Sequence, residues 1–420
     1  MNLIKTSALN SVAVIIKMAT MLVLNKVLAY LIGPTGYVAI GNFQNAIQMI
    51  TKLGSGAINT GVVKYTAEYH NEEDKQKLLW RTAGSITAIL SLVASLLILL
   101  FNRSLSIWFL KDEQYSIVFI WLSVSLFFLT LNSLLLAILN GKKEIKKYVT
   151  INIVGSLFSL IVTIFMAYFI GLKGALIAMA INQSLACIVS IALFSKIKWF
   201  KLSFLYGKID VPTTTKLSKF ALMAMVTAIC MPGSQILIRN HLGDTFGLEL
   251  AGYWEAMWRV SKAYLLFITS TFAVYYLPRL SEIKEVVELK KEISKGYKIL
   301  LPIAICFSLS IFLLKDFIIQ ILFTPDFLPM SELFGWQMVG DTMKIGSFIL
   351  AYLMLSKALT KVFVITEIVF SCSLVLFTYF FTSLYGIKGC VMAYAFNYGI
   401  YWLVMYFVIK VKVLDQKQSF

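Results

Sequence analysis

The twelve residues GLKGALIAMAIN at 171–182 return as GIKGCVMAYAFN at 386–397, 215 residues further along a 420-residue chain. Both glycines, the lysine, two alanines and the final asparagine recur at the same offsets. Self-similarity at a fixed spacing is the sequence signature of a repeated structural unit. Because the spacing is close to half the chain length, the repeat indicates two halves built on one plan.

The composition indicates which solvent these halves occupy. Hydrophobic residues make up 59% of the chain, charged residues make up 14%, and the mean hydropathy is +0.81. Soluble domains carry about 25% charged residues. Apolar runs of about 20 residues, the length at which a helix crosses a bilayer, recur along the whole chain. The sequence therefore predicts an all-α polytopic membrane protein.

Twelve apolar runs are predicted as transmembrane helices, six in each half. Their approximate limits are residues 8–32, 38–62, 82–101, 116–139, 148–170, 174–195, 217–238, 253–278, 297–314, 333–355, 362–384 and 389–409. Six spans return the chain to the side on which it started, so the halves are predicted to be parallel repeats. The predicted domains are an N-terminal lobe at 1–195, a basic linker at 196–216 and a C-terminal lobe at 217–420.

The basic residues orient this arrangement in the membrane. With a cytoplasmic N-terminus, about two thirds of the 38 lysines and arginines fall in loops on the cytoplasmic side and about a sixth fall on the other side. The positive-inside rule therefore predicts that both termini and the linker are cytoplasmic. Because this asymmetry accounts for most of the net charge of +17, the charge does not call for a nucleic-acid partner.

Charged residues within the predicted spans are the first candidates for a functional site. Six are cations and three are acids: Lys17, Lys26, Lys52, Arg259, Lys262 and Lys344, against Glu255, Asp341 and Glu367. Each such charge costs about 2.5–3.5 kcal/mol at mid-membrane, so these residues normally face a protein interior or a wet cavity. A purely structural set of ion pairs would balance, whereas a surplus of cations indicates an anionic ligand.

Spacing places several of these residues on shared helix faces. In the second span, Asn45, Gln48 and Lys52 begin a polar stripe that continues through Ser55 and Asn59. This stripe is interpreted as a cavity lining, with a buried polar seam between helices as the alternative. Lys17 lies in the middle of the first span and is a further cavity candidate, whereas Lys26 is expected to reach the interface.

The eighth and tenth spans repeat this pattern in the second half. Glu255 is expected to pair with Arg259 one turn later, which leaves Lys262 available. Gln337, Asp341 and Lys344 share one face of the tenth span, where a self-contained Asp341–Lys344 ion pair is the alternative to a ligand site.

Several other chemistries have no support in the sequence. No G-x-x-x-x-G-K-[ST] loop occurs, both histidines are predicted in loops, and the five cysteines lie in apolar segments without a C-x-x-C pair. No predicted loop exceeds about 20 residues, which leaves no room for a catalytic domain. The chain is therefore expected to be no enzyme, to bind no metal, and to need no cofactor.

Three stretches carry a resemblance to a known family. LSKFALMA at 217–224, YWEAMWRVSKAYLLFITSTFAVYYLPRLSE at 253–282 and LFGWQMVGDTMKIGSFILAYLMLSKA at 333–358 resemble the Wzx-type flippases. These belong to the polysaccharide-transport branch of the superfamily that includes the multidrug MATE exporters. The resemblance implies a MATE-like, V-shaped arrangement of two six-helix lobes that works by alternating access with a cationic central cavity. It also implies transport of an undecaprenyl-pyrophosphate-linked oligosaccharide, an O-antigen or enterobacterial common antigen repeat unit, from the cytoplasmic to the periplasmic face of the bacterial inner membrane.

Individual motif positions carry the resemblance further. Asp341 and Lys344 match a W-Q-x-x-G-D motif that starts at Trp336, and the eighth-span pattern is matched at Tyr264, Tyr276, Leu277 and Pro278. Lys262 departs from that pattern because relatives often carry an acid there, which argues against proton coupling at this position. The implied partners are the lipid bilayer, the lipid-linked glycan, and a polysaccharide polymerase and chain-length assembly.

These observations lead to one assignment and two alternatives. The residues predicted to bind the substrate are Lys17, Asn45, Gln48, Lys52, Arg259, Lys262, Gln337 and Lys344, and the candidates for a coupling ion are Glu255, Asp341 and Glu367. A MATE-like drug or cation antiporter is the first alternative, although a cationic cargo would call for an acidic cavity. A scaffold protein is the second, and it leaves the costly charges within the spans unexplained.

Overall fold

The computed structural model describes residues 3–271, 276, 279–280, 283, 285–357 and 359–411, and every regular element within them is helical. The predicted all-α class is therefore confirmed. The α-helices in chain order are α1 (Leu3–Gly54), α2 (Asn59–Glu68), α3 (Glu73–Leu100), α4 (Asn102–Leu110), α5 (Ser116–Gly141), α6 (Ile145–Phe194), α7 (Val211–Phe246), α8 (Leu248–Thr271), α9 (Val286–Leu313), α10 (Lys315–Leu322), α11 (Phe334–Ser356), α12 (Thr360–Tyr385) and α13 (Lys388–Ile409). Short 3-10 helices occupy Glu113–Tyr115, Leu202–Leu205 and Pro325–Leu333.

Two of these helices are twice as long as a membrane crossing requires. α1 has 52 residues and α6 has 50, against the roughly 20 that cross a bilayer. Each contains one glycine in the left-handed region, Gly33 with φ 69° and Gly171 with φ 64°. The sequence predicts a loop between the first two spans and another between the fifth and sixth. In the structure each of these loops is a break in the helix at one glycine.

The repeated sequence forms the same turn twice. Gly171 (φ 64°, ψ −145°) and Gly386 (φ 60°, ψ −149°) share one backbone conformation, which residues with a Cβ rarely adopt. Three residues later, a Cβ on Gly174 would lie 2.0 Å from the Met166 carbonyl oxygen, and one on Gly389 would lie 2.2 Å from that of Phe381. Both glycine pairs are thus required by the backbone, which explains why the stretch recurs.

The asparagine that ends each repeat has an equivalent role in both hairpins. Asn182 donates from Nδ2 to the hydroxyls of Ser159 (2.7 Å) and Thr163 (2.9 Å) on the preceding half of α6. Asn397 accepts from Ser373 Oγ at 2.6 Å and donates to the Phe370 carbonyl at 3.2 Å, both on the preceding helix α12. Each amide therefore ties the two arms of its hairpin together.

The predicted second span is not one continuous helix. α1 ends at Gly54 and α2 begins at Asn59, and between them Gly56 and Ala57 have positive φ values of 63° and 53°. Glycine is poor at holding helical backbone, so three glycines between 54 and 61 favour a break there. The polar stripe predicted from Asn45 to Asn59 is interrupted at this point, and Asn59 instead donates to Ser133 Oγ at 2.7 Å.

Nine helical segments in the described part of the chain are long and apolar enough to cross a membrane. Two of them, Val12–Gly54 and Ile145–Phe194, are the doubled helices described above. α8 is not among the nine, although the sequence predicts a span there; it carries Glu255, Arg259 and Lys262 within two turns.

The chain divides into two compact units, the first formed by Met1–Ile32 and Ala39–Pro232, the second by Gly33–Val38 and Gly233–Phe420. In the first unit, Trp80 of α3 and Ile138 of α5 belong to a buried core that also includes Phe200 and Leu205 from the segment predicted as a linker. A Cβ on Gly84 would lie 2.2 Å from the Leu205 carbonyl oxygen, so this segment packs directly on α3.

Asp210 directly precedes α7 and caps its first turn. Its carboxylate accepts from the Thr213 backbone N–H at 2.9 Å and the Thr213 hydroxyl at 2.6 Å. These hydrogen bonds favour the ionised carboxylate and lower the pKa of Asp210. The start of α7 is thereby fixed beside α3, where Thr82 Oγ1 accepts from the Asp210 backbone N–H at 3.2 Å.

The second unit is organised around α11, which contacts α8, α9, α12 and α13. The contact with α13 is close because α11 carries glycine where the two helices meet. A Cβ on Gly340 would lie 2.3 Å from Cδ1 of Tyr394, and one on Gly346 would lie 2.7 Å from the Trp402 ring. The glycine of the W-Q-x-x-G-D motif is therefore explained by the approach of an aromatic ring.

Candidate functional site

The charged residues of α8 form a buried cluster in the second unit. Glu255 is 1% exposed and Arg259 is 8% exposed, and Arg259 Nε donates to Glu255 Oε1 at 3.0 Å. The predicted pairing of these two residues is confirmed. Their i, i+4 spacing on α8 places the two side chains on one face.

Arg239 joins this cluster from α7, and its predicted position was wrong. The sequence places the end of the seventh span at 238 and Arg239 in an outer loop, whereas α7 continues to Phe246 and Arg239 is 1% exposed. Its Nη2 and Nε donate to Glu255 Oε2 at 2.6 and 3.2 Å. A buried carboxylate compensates the arginine, and this long-range pairing cannot be read from a local pattern.

The cluster of Arg239, Glu255 and Arg259 carries a net charge of +1. Aromatic faces support both guanidinium groups: Arg239 lies 5.5 Å from the Trp254 ring centroid, and Arg259 lies 5.1 Å from that of Tyr37. Arg239 is not among the six cations predicted within the spans, so the second unit holds one buried cation more than the sequence predicts.

His241 also lies in α7 rather than in the predicted loop. Its ring stacks on Tyr379 with centroids 3.8 Å apart, and its Nε2 is 2.9 Å from Thr382 Oγ1. Within the described residues, no group of three histidine, cysteine, aspartate or glutamate side chains is placed to hold a metal ion.

Asp341 is the second buried acid of this unit, and neutral donors surround it. It is fully buried. Ser261 and Tyr264 of α8 each donate to Oδ2 at 2.6 Å, and Tyr394 of α13 and Gln337 of α11 donate to Oδ1 at 2.8 and 3.2 Å. The carboxylate therefore joins three helices through four hydrogen bonds.

Lys344 lies one turn from Asp341 but does not form the ion pair considered above. Instead, its ammonium group lies among aromatic rings, 5.3 Å from the Trp258 centroid and 5.2 Å from that of Tyr398. Phe348 and Tyr394 complete the group at 5.7 and 5.8 Å. Such contacts stabilise a cation without neutralising its charge.

Lys262 is placed similarly on α8. Its ammonium lies 5.6 Å from the Trp258 ring centroid and donates to Gln235 Oε1 at 3.3 Å. Glu367 on α12 is partly exposed, and no hydrogen bond or ion pair joins it to the described residues. Arg259, Lys262, Gln337 and Lys344, predicted separately on two helices, thus belong to one region of the second unit.

The candidates in the first unit are more dispersed. Asn45 is buried and donates to the Pro232 carbonyl at 3.4 Å, whereas Lys17 and Gln48 are exposed and Lys52 is partly exposed. In the described part of the chain, no hydrogen bond or ion pair joins these four side chains to one another. Leu277 and Pro278, which match the family pattern, lie outside the described residues; Tyr276 is buried.

Sequence reasoning missed Arg239, Ser261, Trp258 and Tyr394. One of these had a detectable signal, because Tyr394 stands in the repeated stretch where the first copy has Met179. The two hairpins are otherwise similar, so the change from methionine to tyrosine indicates a role that only the second hairpin has. Arg239 and Ser261 contribute through contacts with other helices, and Trp258 contributes through one such contact, with Lys344, and one local contact, with Lys262.

Comparisons with known proteins agree with this fold. The profile of a family described as "Polysaccharide biosynthesis protein" matches residues 27–332. The chain is 29% identical over 406 residues, 96% of each chain, to curated relatives named lipid III flippase from Escherichia coli (strain K12) and Shigella flexneri.

Among solved structures, an inward-facing multidrug resistance MATE family transporter gives a TM-score of 0.78 at 13% identity, covering 96% of this chain and 99% of that one. Its outward-facing counterpart gives 0.75 at 14% identity, covering 100% and 98%. The fold is therefore MATE-like.

Proposed function

Because the chain belongs to the polysaccharide biosynthesis protein family, we propose that it is a flippase that moves a lipid-linked oligosaccharide across a membrane. Relatives named lipid III flippase match 96% of the chain, which supports this proposal. The observation that carries it is the electrostatic character of the second unit. Arg239 and Arg259 share one carboxylate, and Lys262 and Lys344 have none in contact among the described residues.

A lipid pyrophosphate is a cargo that fits such a site. It presents several negative charges, which cannot enter hydrocarbon without compensation. Guanidinium and ammonium groups bind phosphate oxygens through charge-assisted hydrogen bonds. The cargo we propose is an undecaprenyl-pyrophosphate-linked repeat unit of an O-antigen or of enterobacterial common antigen, moved by alternating access with a cationic cavity.

The proposal assigns the carboxylates different roles. Glu255 is compensated by two arginines and Asp341 by four donors, so both are already satisfied within the protein. Of the three coupling-ion candidates, Glu367 is the one that remains available to bind a proton or a sodium ion. The dependence of transport on each ion gradient, compared between the parent protein and Glu367→Gln, tests this assignment.

The proposed arrangement in the membrane is the one inferred from the sequence. α1 and α6 would each cross twice and α8 would cross once, giving twelve crossings in parallel lobes at 1–195 and 217–420 joined by residues 196–216. The membrane would be the bacterial inner membrane, with both termini cytoplasmic. A polysaccharide polymerase and chain-length assembly would receive the cargo.

A deletion strain tests the function. Cells without the protein should accumulate lipid-linked glycan on the cytoplasmic face of the membrane, because the glycan cannot cross hydrocarbon unaided. Plasmid-borne protein should restore surface glycan, and sensitivity to cationic dyes should be unchanged in both strains. The measurements are surface glycan and lipid-linked glycan accessible to a membrane-impermeant probe.

The MATE-like fold favours one competing function, a drug or cation antiporter. That function predicts the opposite pair of results, normal surface glycan in the deletion strain together with increased sensitivity to cationic drugs. Such a result would exclude the flippase proposal.

A further inference from the structure

Two ammonium groups from different helices lie beside one indole ring in the second unit. Lys262 Nζ of α8 is 5.6 Å from the ring centroid of Trp258, and Lys344 Nζ of α11 is 5.3 Å from the same centroid. Trp258 is 2% exposed, whereas both lysines are partly exposed. Both lysine side chains are therefore less buried than the aromatic ring beside them.

No carboxylate compensates either ammonium group by direct contact among the described residues. The acceptor of Lys262 is the neutral amide of Gln235, and Lys344 contacts rings. Three acids are near the two lysines. Glu255 bonds to Arg239 and Arg259, and Asp341 accepts from four neutral donors. Glu367 is close enough to interact with Lys344 through space but forms no ion pair with it. Two like charges around one apolar ring repel each other, and an anion between them removes that repulsion.

The indole itself supplies an independent indication of a ligand. Trp258 Nε1 is buried, and its N–H has no hydrogen-bond acceptor among the described residues. Indole N–H groups donate only, so the missing partner must be an acceptor. Buried donors are nearly always paired, so an unpaired donor on a ring that two cations approach indicates an acceptor, and an anion supplies one.

We propose that Lys262, Lys344 and the Nε1–H of Trp258 form a binding site for a phosphate-type oxyanion. The diphosphate of the lipid-linked cargo would occupy this site, and that identification rests on the proposed function. One diphosphate offers enough acceptor oxygens for all three donors. Tyr394 and Tyr398 are buried beside Lys344, and a low-dielectric surrounding strengthens a charged contact.

The Trp258 site differs from the arginine cluster because no carboxylate of the protein bonds to its cations. In the Arg239–Glu255–Arg259 cluster, an internal carboxylate already bonds to both guanidinium groups. At Trp258 the cations have only neutral contacts. The inference therefore assigns phosphate binding to the lysines of α8 and α11, and assigns Trp258 as the neutral donor that recognises an acceptor.

Binding of inorganic pyrophosphate to the full chain tests the site directly. Protein in nanodiscs of zwitterionic lipid is titrated with inorganic pyrophosphate, and with inorganic phosphate as the smaller anion, by isothermal calorimetry. Loss of one hydrogen bond to a charged group typically weakens binding by about tenfold to a hundredfold. We expect this loss for Trp258→Phe, Lys262→Gln and Lys344→Gln, and partial recovery for Lys262→Arg and Lys344→Arg.

The control is Trp121→Phe, the same substitution on α5 of the first unit. Trp121 is 45% exposed, and the ring that both lysines approach is that of Trp258. The affinity of this variant for pyrophosphate should equal that of the parent protein.

A second measurement follows the indole N–H resonances of ¹⁵N-tryptophan-labelled protein. The resonance missing in Trp258→Phe should be the one that shifts when pyrophosphate is added.

The possible outcomes distinguish failure of the oxyanion site from failure of the flippase proposal. Absence of pyrophosphate binding by the parent protein, or unchanged affinity in well-folded Trp258→Phe and Lys344→Gln, overturns the site. If one variant fails to fold, as judged by thermal unfolding, the pyrophosphate affinities of the other two variants decide the question. Pyrophosphate binding that depends on the three residues, in a protein that does not restore surface glycan, supports the site and rejects the flippase. Restored glycan with no role for the three residues rejects the site and leaves the flippase.

Discussion

At Glu255, one carboxylate compensates two guanidinium groups that come from different helices. All three side chains are nearly inaccessible, so each charge depends on its partners. Breaking a buried ion pair by removing one partner costs about 3–5 kcal/mol, because an uncompensated charge remains. Removing a charged pair and leaving uncharged groups in its place is often much less costly.

A charge cycle tests this dependence. Glu255→Gln should lower the thermal stability strongly, since it leaves two arginines side by side. Arg239→Gln should cost less, because the Glu255–Arg259 pair survives. The double variant Arg239→Gln/Glu255→Gln should recover part of the loss seen in Glu255→Gln, since one uncompensated arginine then remains instead of two. The measurement is the melting temperature of detergent-solubilised protein. Additive losses in the double variant would show that the three charges are not coupled.

At the scale of elements, the packing of α11 on α13 depends on Gly340. The Tyr394 ring occupies the space of a Cβ at this position, and the same tyrosine donates to Asp341. Gly340→Ala should therefore displace the ring and destabilise the protein by about 1–3 kcal/mol, the usual cost of overpacking. Thermal unfolding provides the measurement.

Gly335→Ala is the control for this substitution on the same helix. A Cβ there would lie 3.5 Å from Phe312, an ordinary contact, so alanine should leave stability equal or slightly higher because it favours helix. Adding Tyr394→Leu to Gly340→Ala should relieve the overlap. If Gly340→Ala and Gly335→Ala have the same effect, close packing does not explain the motif glycine.

At the scale of the whole molecule, the distribution of lysine and arginine predicts the sidedness of the loops. In a cysteine-free background, single cysteines at the exposed positions Lys143 and Ser203 should react with an impermeant maleimide only after the membrane is opened. Cysteines at the exposed positions Glu113 and Thr245 should react in intact spheroplasts. One clear reversal would contradict the parallel arrangement of the two halves.

What the sequence determined by itself depends on patterns that are local or that repeat. Apolar runs predict helices because a bilayer leaves the backbone few alternatives. The recurring GLKG and GIKG stretches indicate the same turn twice, since a left-handed glycine and a close carbonyl are local requirements. Pairing of Glu255 with Arg259 follows from i, i+4 spacing on one helix.

Only the tertiary structure decided which charges are satisfied. Arg239 reaches Glu255 from α7, and Tyr394 reaches Asp341 across 53 residues of chain. Lys344 joins Lys262 at Trp258 instead of pairing with Asp341. Lys262 lies i, i+4 from Trp258 on one helix, but no sequence spacing encodes the contacts of Arg239, Tyr394 and Lys344, because they depend on how different helices pack. The candidate anion site exists only as a product of that packing.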